Sequence, residues 1–111
     1  MNFKAILLNF SQLPSGTDAF KQLRQLCEQQ LGQPQPSLEK TALFLISGFA
    51  KNYVLLYEDQ AIRPEFAQNA KNQLLGYMQR LSDALESADE ARILEALNQV
   101  SSDYMQSSRV F

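Results

Sequence analysis

The sequence of 111 residues predicts an all-α protein, a four- to five-helix antiparallel bundle with a short N-terminal helix. Apolar residues recur at intervals of three and four along nearly the whole chain, which is the period of an amphipathic helix. No segment shows the alternation of a half-buried strand, and no Asn-Gly pair indicates a tight hairpin. The length and the 45% apolar content suit one core, so we expect a single domain, residues 1–111.

The first two helices are predicted near residues 2–11 and 17–31. Each carries an apolar stripe at helical spacing, and the Pro-Ser-Gly-Thr segment between them interrupts the pattern. In that segment Ser15 or Thr17 is placed to cap the second helix, and Gly32 is placed to close it. The stripes consist of Phe3, Ile6, Leu7 and Phe10 in the first helix and of Phe20, Leu23, Cys27 and Leu31 in the second.

The third and fourth helices are predicted near residues 38–60 and 64–86. Ser37 is placed to cap the third helix. Pro64 suits the first turn of the fourth helix, because the missing N–H of proline would have no partner inside the helix there. The residues of the fourth helix that we expect to point inward are Ala67, Ala70, Leu74, Tyr77, Met78, Leu81 and Leu85.

A fifth helix is predicted near residues 88–106, although no Gly or Pro precedes it. The stripe of the fourth helix, if continued, would fall on charged and polar residues, so the apolar residues beyond it belong to a new helix. Ser87 and Glu90 have the spacing of a capping box, in which each side chain bonds the backbone N–H of the other. The new stripe consists of Ile93, Leu94, Leu97, Val100 and Tyr104.

Composition argues against several classes of function. A net charge of −2 and a pI near 5.0 do not suit binding to the phosphates of nucleic acid. Residues 41–60 are the most apolar segment, but polar residues interrupt them, whereas a membrane span needs about 20 mostly apolar residues. Cys27 is the only cysteine and the N-terminus lacks a signal-peptide cleavage site, so we expect a cytoplasmic protein without disulfides.

No catalytic, cofactor or metal site is predicted. Histidine, the commonest general base and metal ligand, is absent, and a single cysteine cannot build a zinc site. Cys27 lies on an apolar stripe, which favours a buried structural thiol over a nucleophile. The acidic pairs Glu58-Asp59 and Asp89-Glu90 are adjacent, and adjacent helical residues point about 100° apart. These observations favour a protein that is not an enzyme.

One side of the third helix departs from a simple amphipathic pattern. Phe44 and Leu55 lie about three turns apart on one line, within a sector that is otherwise polar. The same sector contains Gly48, Lys51 and Asn52, and a glycine costs about 1 kcal/mol in a helix interior relative to alanine. We call these five residues the strip.

Two interpretations of the strip are open. In the first, the first helix or residues 107–111 cover it, and the third helix is the centre of the core. In the second, the strip is a surface on which another chain packs closely, giving a homodimer or a site for a different partner.

The sequence supports two competing hypotheses about function. The first is a non-catalytic protein–protein interaction module, namely a small acidic helical adaptor, regulator, chaperone or immunity-type protein that binds another protein or itself. Half of the acidic residues lie in residues 83–111, which suits a basic partner, and residues 109–111 are a further candidate docking segment. The alternative is a small-molecule-binding bundle, or a cryptic enzyme, with a pocket walled by Tyr53, Tyr57 and Tyr77.

Overall fold

The computed structural model describes residues 1–108 and 111, and these residues form five α-helices joined by short loops. No described residue lies in a strand, so the all-α prediction is confirmed. None of the described helices is long and apolar enough to cross a membrane. The helices are α1 (Phe3–Gln12), α2 (Thr17–Leu31), α3 (Ser37–Tyr57), α4 (Pro64–Glu86) and α5 (Glu90–Gln106).

Helix α3 lies between α2 on one side and α4 and α5 on the other. The contact between α2 and α3 is the most extensive, α5 packs on α4, and α1 packs on both α2 and α4. Short connections make consecutive helices antiparallel. Since α3 and α5 both run against α4, they run parallel to each other.

Aromatic rings form the centre of the core. The ring of Phe20 stacks on that of Tyr53 with 3.8 Å between centroids, and the ring of Phe10 meets Phe20 edge-on at 5.4 Å. The ring of Phe111 meets both Phe20 and Tyr53 edge-on, at 5.9 and 5.5 Å. Such stacked and edge-on pairs are favoured by the ring quadrupole in addition to the apolar area that they bury.

Most residues of the predicted stripes are buried. The four residues of the α1 stripe are all in the core, whereas Leu31 in α2 and Leu85 in α4 are only half-buried. Leu94 is the exception in α5, because 45% of its side chain is exposed. The stripe of α5 therefore consists of Ile93, Leu97, Val100 and Tyr104.

The predicted N-caps of α2 and α3 are wrong. Gly16 occupies the N-cap position of α2 with a φ of 134°, which sets Thr17 as the first helical residue, and no side chain caps this end. Pro36 occupies the N-cap position of α3, so Ser37 is already helical. Helix α3 also ends three residues before the predicted boundary. After Glu58 the backbone leaves the α-helix, because the N–H of Gln60 donates to the carbonyl of Tyr57, three residues earlier, in a turn.

The capping box predicted at the start of α5 does not form, because α4 continues to Glu86 and Ser87 belongs to its end. The hydroxyl of Ser87 donates to the carbonyl of Ala84 at 2.5 Å. Asp89 caps α5 instead, its carboxylate accepting from the backbone N–H of Ala91 at 3.0 Å. Ala88, between the two helices, has a φ of 54°, in the left-handed region that favours glycine.

Replacing Ala88 by glycine is expected to raise the free energy of unfolding by about 0.5–1 kcal/mol, because glycine adopts the left-handed conformation without a Cβ clash. Urea unfolding followed by circular dichroism measures this change. Ala91→Gly is the matched control, since Ala91 is helical and its replacement is expected to lower stability. Equal effects of both substitutions would contradict the assignment of Ala88 as the helix-ending residue.

Candidate protein-binding surface on α3

The strip is open to solvent in the folded chain. Phe44 is 72% exposed and Leu55 is 70% exposed, although both are large apolar side chains. Lys51 and Asn52 are also exposed, and Gly48 is half-buried. Neither α1 nor the described part of residues 107–111 covers them.

The C-terminal segment is placed elsewhere. The ring of Phe111 is buried in the aromatic core, where it contacts the rings of Tyr53 and Tyr104. Residues 109–110 of the candidate docking segment lie outside the described residues. The apolar end of this segment is therefore part of the core.

The space that a side chain at Gly48 would occupy is empty. A Cβ atom at this position would meet no heavy atom within 4 Å, once the neighbouring residues and the helix's own backbone are set aside. No contact with the described residues of this chain therefore requires a glycine here. The open space leaves room for the backbone of another chain to approach α3 closely.

Asn52 marks the border between the strip and α5. Its side-chain amide donates to the hydroxyl of Tyr104 at 3.0 Å. The ring of Tyr104 also stacks on that of Phe49, with 3.8 Å between the ring centroids. Asn52 was predicted as a partner-binding residue, and in this structure its amide links two helices of the same chain.

Helix α5 extends the apolar surface with two residues that the sequence analysis did not assign to a binding surface. Met105 is 71% exposed, and Leu94, which was assigned to the inward stripe, lies on the same line eleven residues earlier. Around the axis of α5, both lie on the side opposite Asp103. The carboxylate of Asp103 accepts a hydrogen bond from Arg80 of α4 at 2.8 Å. Leu94 and Met105 therefore project from the edge of α5 that borders α3. Their spacing equals that of Phe44 and Leu55, a signal already present in the sequence.

The apolar residues of α3 and α5 thus share one side of the molecule. Gly48 and Leu55 lie about 40° and 60° from Asn52 around α3, on its solvent side. Leu94 and Met105 lie beside Tyr104 on α5. We call the strip together with Leu94, Asn98 and Met105 the α3–α5 face.

Charged residues line both outer edges of this face. Lys40 and Lys51 are exposed and eleven residues apart, on the edge of α3 away from α5. Glu95 is exposed on the edge of α5 away from α3. The described ion pairs involve other residues, so none of these three charges has an ionic partner within the described chain.

The described residues show no arrangement suited to nucleophilic or metal chemistry. Cys27 is fully buried, and this burial, with the Glu28 carboxylate nearby, raises the pKa of its thiol to about 12. A thiol with this pKa is protonated at neutral pH and is not a nucleophile. No group of three or more His, Cys, Asp or Glu side chains lies close enough together among the described residues to hold a metal ion.

The tyrosines proposed as pocket walls pack against other rings. Tyr53 and Tyr77 are buried, and the ring of Tyr57 contacts those of Tyr53 and Phe66 at 4.9 and 5.1 Å. The ring of Phe49 lies 5.9 Å from that of Tyr77. These rings fill the space between the helices.

The hydroxyl of Tyr53 is buried and has no hydrogen-bond partner among the described residues. Burial, with Tyr57 nearby, raises the pKa of this hydroxyl. An unpaired buried hydroxyl lowers stability, so Tyr53→Phe is expected to raise the free energy of unfolding by about 1 kcal/mol. Tyr104→Phe is the matched control, because it removes the bond from Asn52 and is expected to lower stability. Thermal and urea unfolding measure both, and a loss of stability in Tyr53→Phe would reveal a partner for this hydroxyl.

Comparison with known protein families, with curated proteins and with solved structures finds no match.

Proposed function

We propose that the protein is a non-catalytic protein–protein interaction module that binds a partner chain through the strip on α3. The observation that carries this proposal is the exposure of Phe44 and Leu55 on one line of a helix whose opposite side is buried in the core. Full burial of such a side chain contributes about 1.5–3 kcal/mol relative to leaving it exposed. Covering the strip therefore gives a partner a substantial apolar contribution to binding.

Three further features support this proposal. Phe and Met are enriched in protein interfaces, and the α3–α5 face presents Phe44 and Met105. The open space above Gly48 permits close backbone approach. The unpaired Lys40 and Lys51 at the edge supply a charged rim of the kind that orients partners.

This proposal places the protein among small acidic helical adaptors, regulators, chaperones or immunity-type proteins. A cytoplasmic location is part of it, supported by the single cysteine, which is buried as a free thiol. The small-molecule alternative is not proposed, because the tyrosines that would wall its pocket are packed against neighbouring rings.

The double substitution Phe44→Asp/Leu55→Asp is expected to reduce partner capture at least tenfold while the fold is preserved. Both side chains are exposed in the free chain, and exposed substitutions usually change stability by less than about 0.5 kcal/mol each. Quantitative cross-linking of the tagged protein in its own cell measures capture, and circular dichroism with thermal unfolding checks the fold.

Leu8→Asp is the matched control for this experiment. Leu8 is 50% exposed but lies on α1, outside the strip. Undiminished capture by the double variant would overturn the proposal, as would capture that Leu8→Asp reduces equally. Unfolding of the double variant would show that the strip belongs to the core.

A further inference from the structure

We infer that the partner presents an amphipathic α-helix with one acidic flank, and that this helix lies along the groove between α3 and α5. This inference rests on the proposed function and names the chemistry of the segment that covers the strip. It is carried by four exposed apolar side chains, by the small residues between them, and by two lysines at the edge of α3.

Four exposed apolar side chains stand at the corners of the groove. The hydrogen bond from Asn52 to Tyr104 sets the relative level of the two parallel helices, and residues are counted along each helix from this bond. At each end of the groove, one exposed side chain of α3 lies within about one turn of one of α5, and the two ends are about 16 Å apart. The corners are Phe44 and Leu94 at one end and Leu55 and Met105 at the other.

Small residues form the floor between the four corners. Gly48 and Ser101 are both half-buried and lie at about the same level, midway between the two ends of the groove. A Cβ atom at Gly48 would meet no heavy atom within 4 Å, so the floor is open in the free chain. A large side chain of a partner therefore fits above these two residues, as an anchor at the centre of the interface.

The hydroxyl groups of the floor are already hydrogen-bonded within the chain. The hydroxyl of Ser101 donates to the carbonyl of Leu97 at 2.7 Å, and that of Thr41 donates to the carbonyl of Ser37 at 3.1 Å. Both donors keep their acceptors when an apolar surface covers them, which removes much of the cost of burying a polar group. The floor therefore suits an apolar occupant.

A helix suits this groove better than an extended segment does. The backbone N–H and C=O groups in the middle of α3 and α5 are bonded within their own helices, so they cannot pair with a strand. A helix satisfies its own backbone bonds, and helices in bundles pack at about 20° to their neighbours. Apolar residues of the occupant at i, i+4, i+7 and i+11 then reach both ends of the groove.

Charge complementarity sets the chemistry of the two flanks. Lys40 and Lys51 are exposed on the outer edge of α3, about 16 Å apart, and neither has an ionic partner among the described residues. A flank with acidic residues at the same spacing is favoured over this edge. Glu95 is exposed on the outer edge of α5 and favours a basic residue on the other flank. The occupant is therefore acidic only on the flank that lies over α3.

Binding of synthetic peptides tests the acidic flank. One peptide of about 18 residues has leucines at i, i+4 and i+11, a tryptophan at i+7, glutamates on one flank and alanines elsewhere. A second peptide has lysines in place of the glutamates. Because the protein contains no tryptophan, the fluorescence of the peptide reports its burial in the groove. The glutamate peptide is expected to bind at least tenfold more tightly than the lysine peptide, and added salt is expected to reduce this difference.

Reversing the charge of the two lysines tests their role. Lys40→Glu/Lys51→Glu is expected to reverse the preference, so that the lysine peptide binds more tightly. Arg63→Glu/Arg92→Glu is the matched control, because both arginines are exposed outside the groove and the two double variants lower the net charge equally. Equal affinity of the unmodified chain for both peptides, binding of neither peptide, or a preference that the control also reverses would overturn the acidic flank.

Gly48→Leu tests the floor of the groove. Leucine occupies the open space at its centre and is expected to weaken binding of the glutamate peptide at least tenfold. The Cβ atom meets no heavy atom within 4 Å, and leucine favours helix more than glycine does, so the midpoint of thermal unfolding is expected to rise. Gly76→Leu is the matched control, since Gly76 has the same open space but lies in α4. Undiminished binding to Gly48→Leu would overturn the placement of the helix.

Two other occupants of the groove are outcomes of further measurements. Co-sedimentation of the protein with vesicles of phosphatidylcholine and phosphatidylserine, if lost in Phe44→Asp/Leu55→Asp, would name a lipid surface and overturn both the helix and the proposed function. A dimer of the 12.6 kDa chain in sedimentation equilibrium, if lost in the same variant, would name a second copy and overturn the acidic helix alone.

Failure of this inference is distinguishable from failure of the proposed function. Partner capture in the cell that Phe44→Asp/Leu55→Asp abolishes and Lys40→Glu/Lys51→Glu leaves unchanged, with no preference between the peptides, overturns the acidic helix and keeps the proposed function. Capture that Phe44→Asp/Leu55→Asp does not reduce overturns the proposed function, whichever peptide binds.

Discussion

Replacing Phe20 by alanine is expected to lower the free energy of unfolding by about 4 kcal/mol, the largest effect of any single substitution considered for this protein. Phe20 is fully buried, and its ring contacts those of Phe10, Tyr53 and Phe111. Alanine removes the buried area of the ring and leaves a cavity that the surrounding rings cannot fill without leaving their preferred conformations. The loss also includes the contribution of the stacked and edge-on pairs.

Urea unfolding followed by far-ultraviolet circular dichroism measures this loss, with Phe44→Ala as the matched control. The same residue type is removed from the same protein, but Phe44 is exposed, so the expected change is below about 0.5 kcal/mol at concentrations where the chain is monomeric. A large loss for Phe44→Ala under these conditions would show that other parts of the same chain cover the strip. A small loss for Phe20→Ala would show that α2 does not hold the aromatic core together.

Replacing Lys71 by methionine is expected to lower the free energy of unfolding by about 2–3 kcal/mol. Lys71 is 7% exposed, and its ammonium donates to the backbone carbonyls of Ser11, at 3.1 Å, and of Leu13. These carbonyls lie at the C-terminal end of α1, where the helix dipole is negative and a cation is stabilised. Methionine preserves the length of the side chain but leaves both carbonyls without this donor.

Thermal and urea unfolding of Lys71→Met test this role against Lys51→Met. Lys51 is exposed on the strip, so its replacement is expected to change the stability of the monomer by less than about 0.5 kcal/mol. Equal stability of the two variants would indicate that water satisfies the α1 carbonyls in place of Lys71.

Helix number and the inward faces of the helices followed from local patterns in the sequence. The i, i+3, i+4 spacing of apolar residues depends only on helix geometry, so the stripes of α1 and α4 could be predicted almost residue by residue. The phase change after Leu85 correctly separated α4 from α5, even though no Gly or Pro marks the boundary. Helix ends were less predictable, since several adjacent residues can cap a helix and the backbone path decides among them. Asp89 rather than Ser87 caps α5 for this reason.

Lys71 and Leu94 show where local pattern stops being informative. Lys71 interrupts the apolar stripe of α4, and lysine side chains are usually exposed. Leu94 belongs to the apolar stripe of α5, where a leucine is expected to be buried. Lys71 is buried because carbonyls 58 and 60 residues away accept its hydrogen bonds, and Leu94 is exposed because α3 and α4 together cover only part of α5. Such outcomes depend on how distant helices pack.

The sequence by itself determined which residues share a face of each helix, and so identified Phe44, Gly48 and Leu55 as one line on α3. It left open whether that line was covered. Only the tertiary structure decided that it is exposed, that Phe111 packs into the aromatic core and that Leu94 and Met105 continue the apolar surface on α5. The physical reason is that a helical repeat is local, whereas the covering of a face depends on helices far apart in the chain.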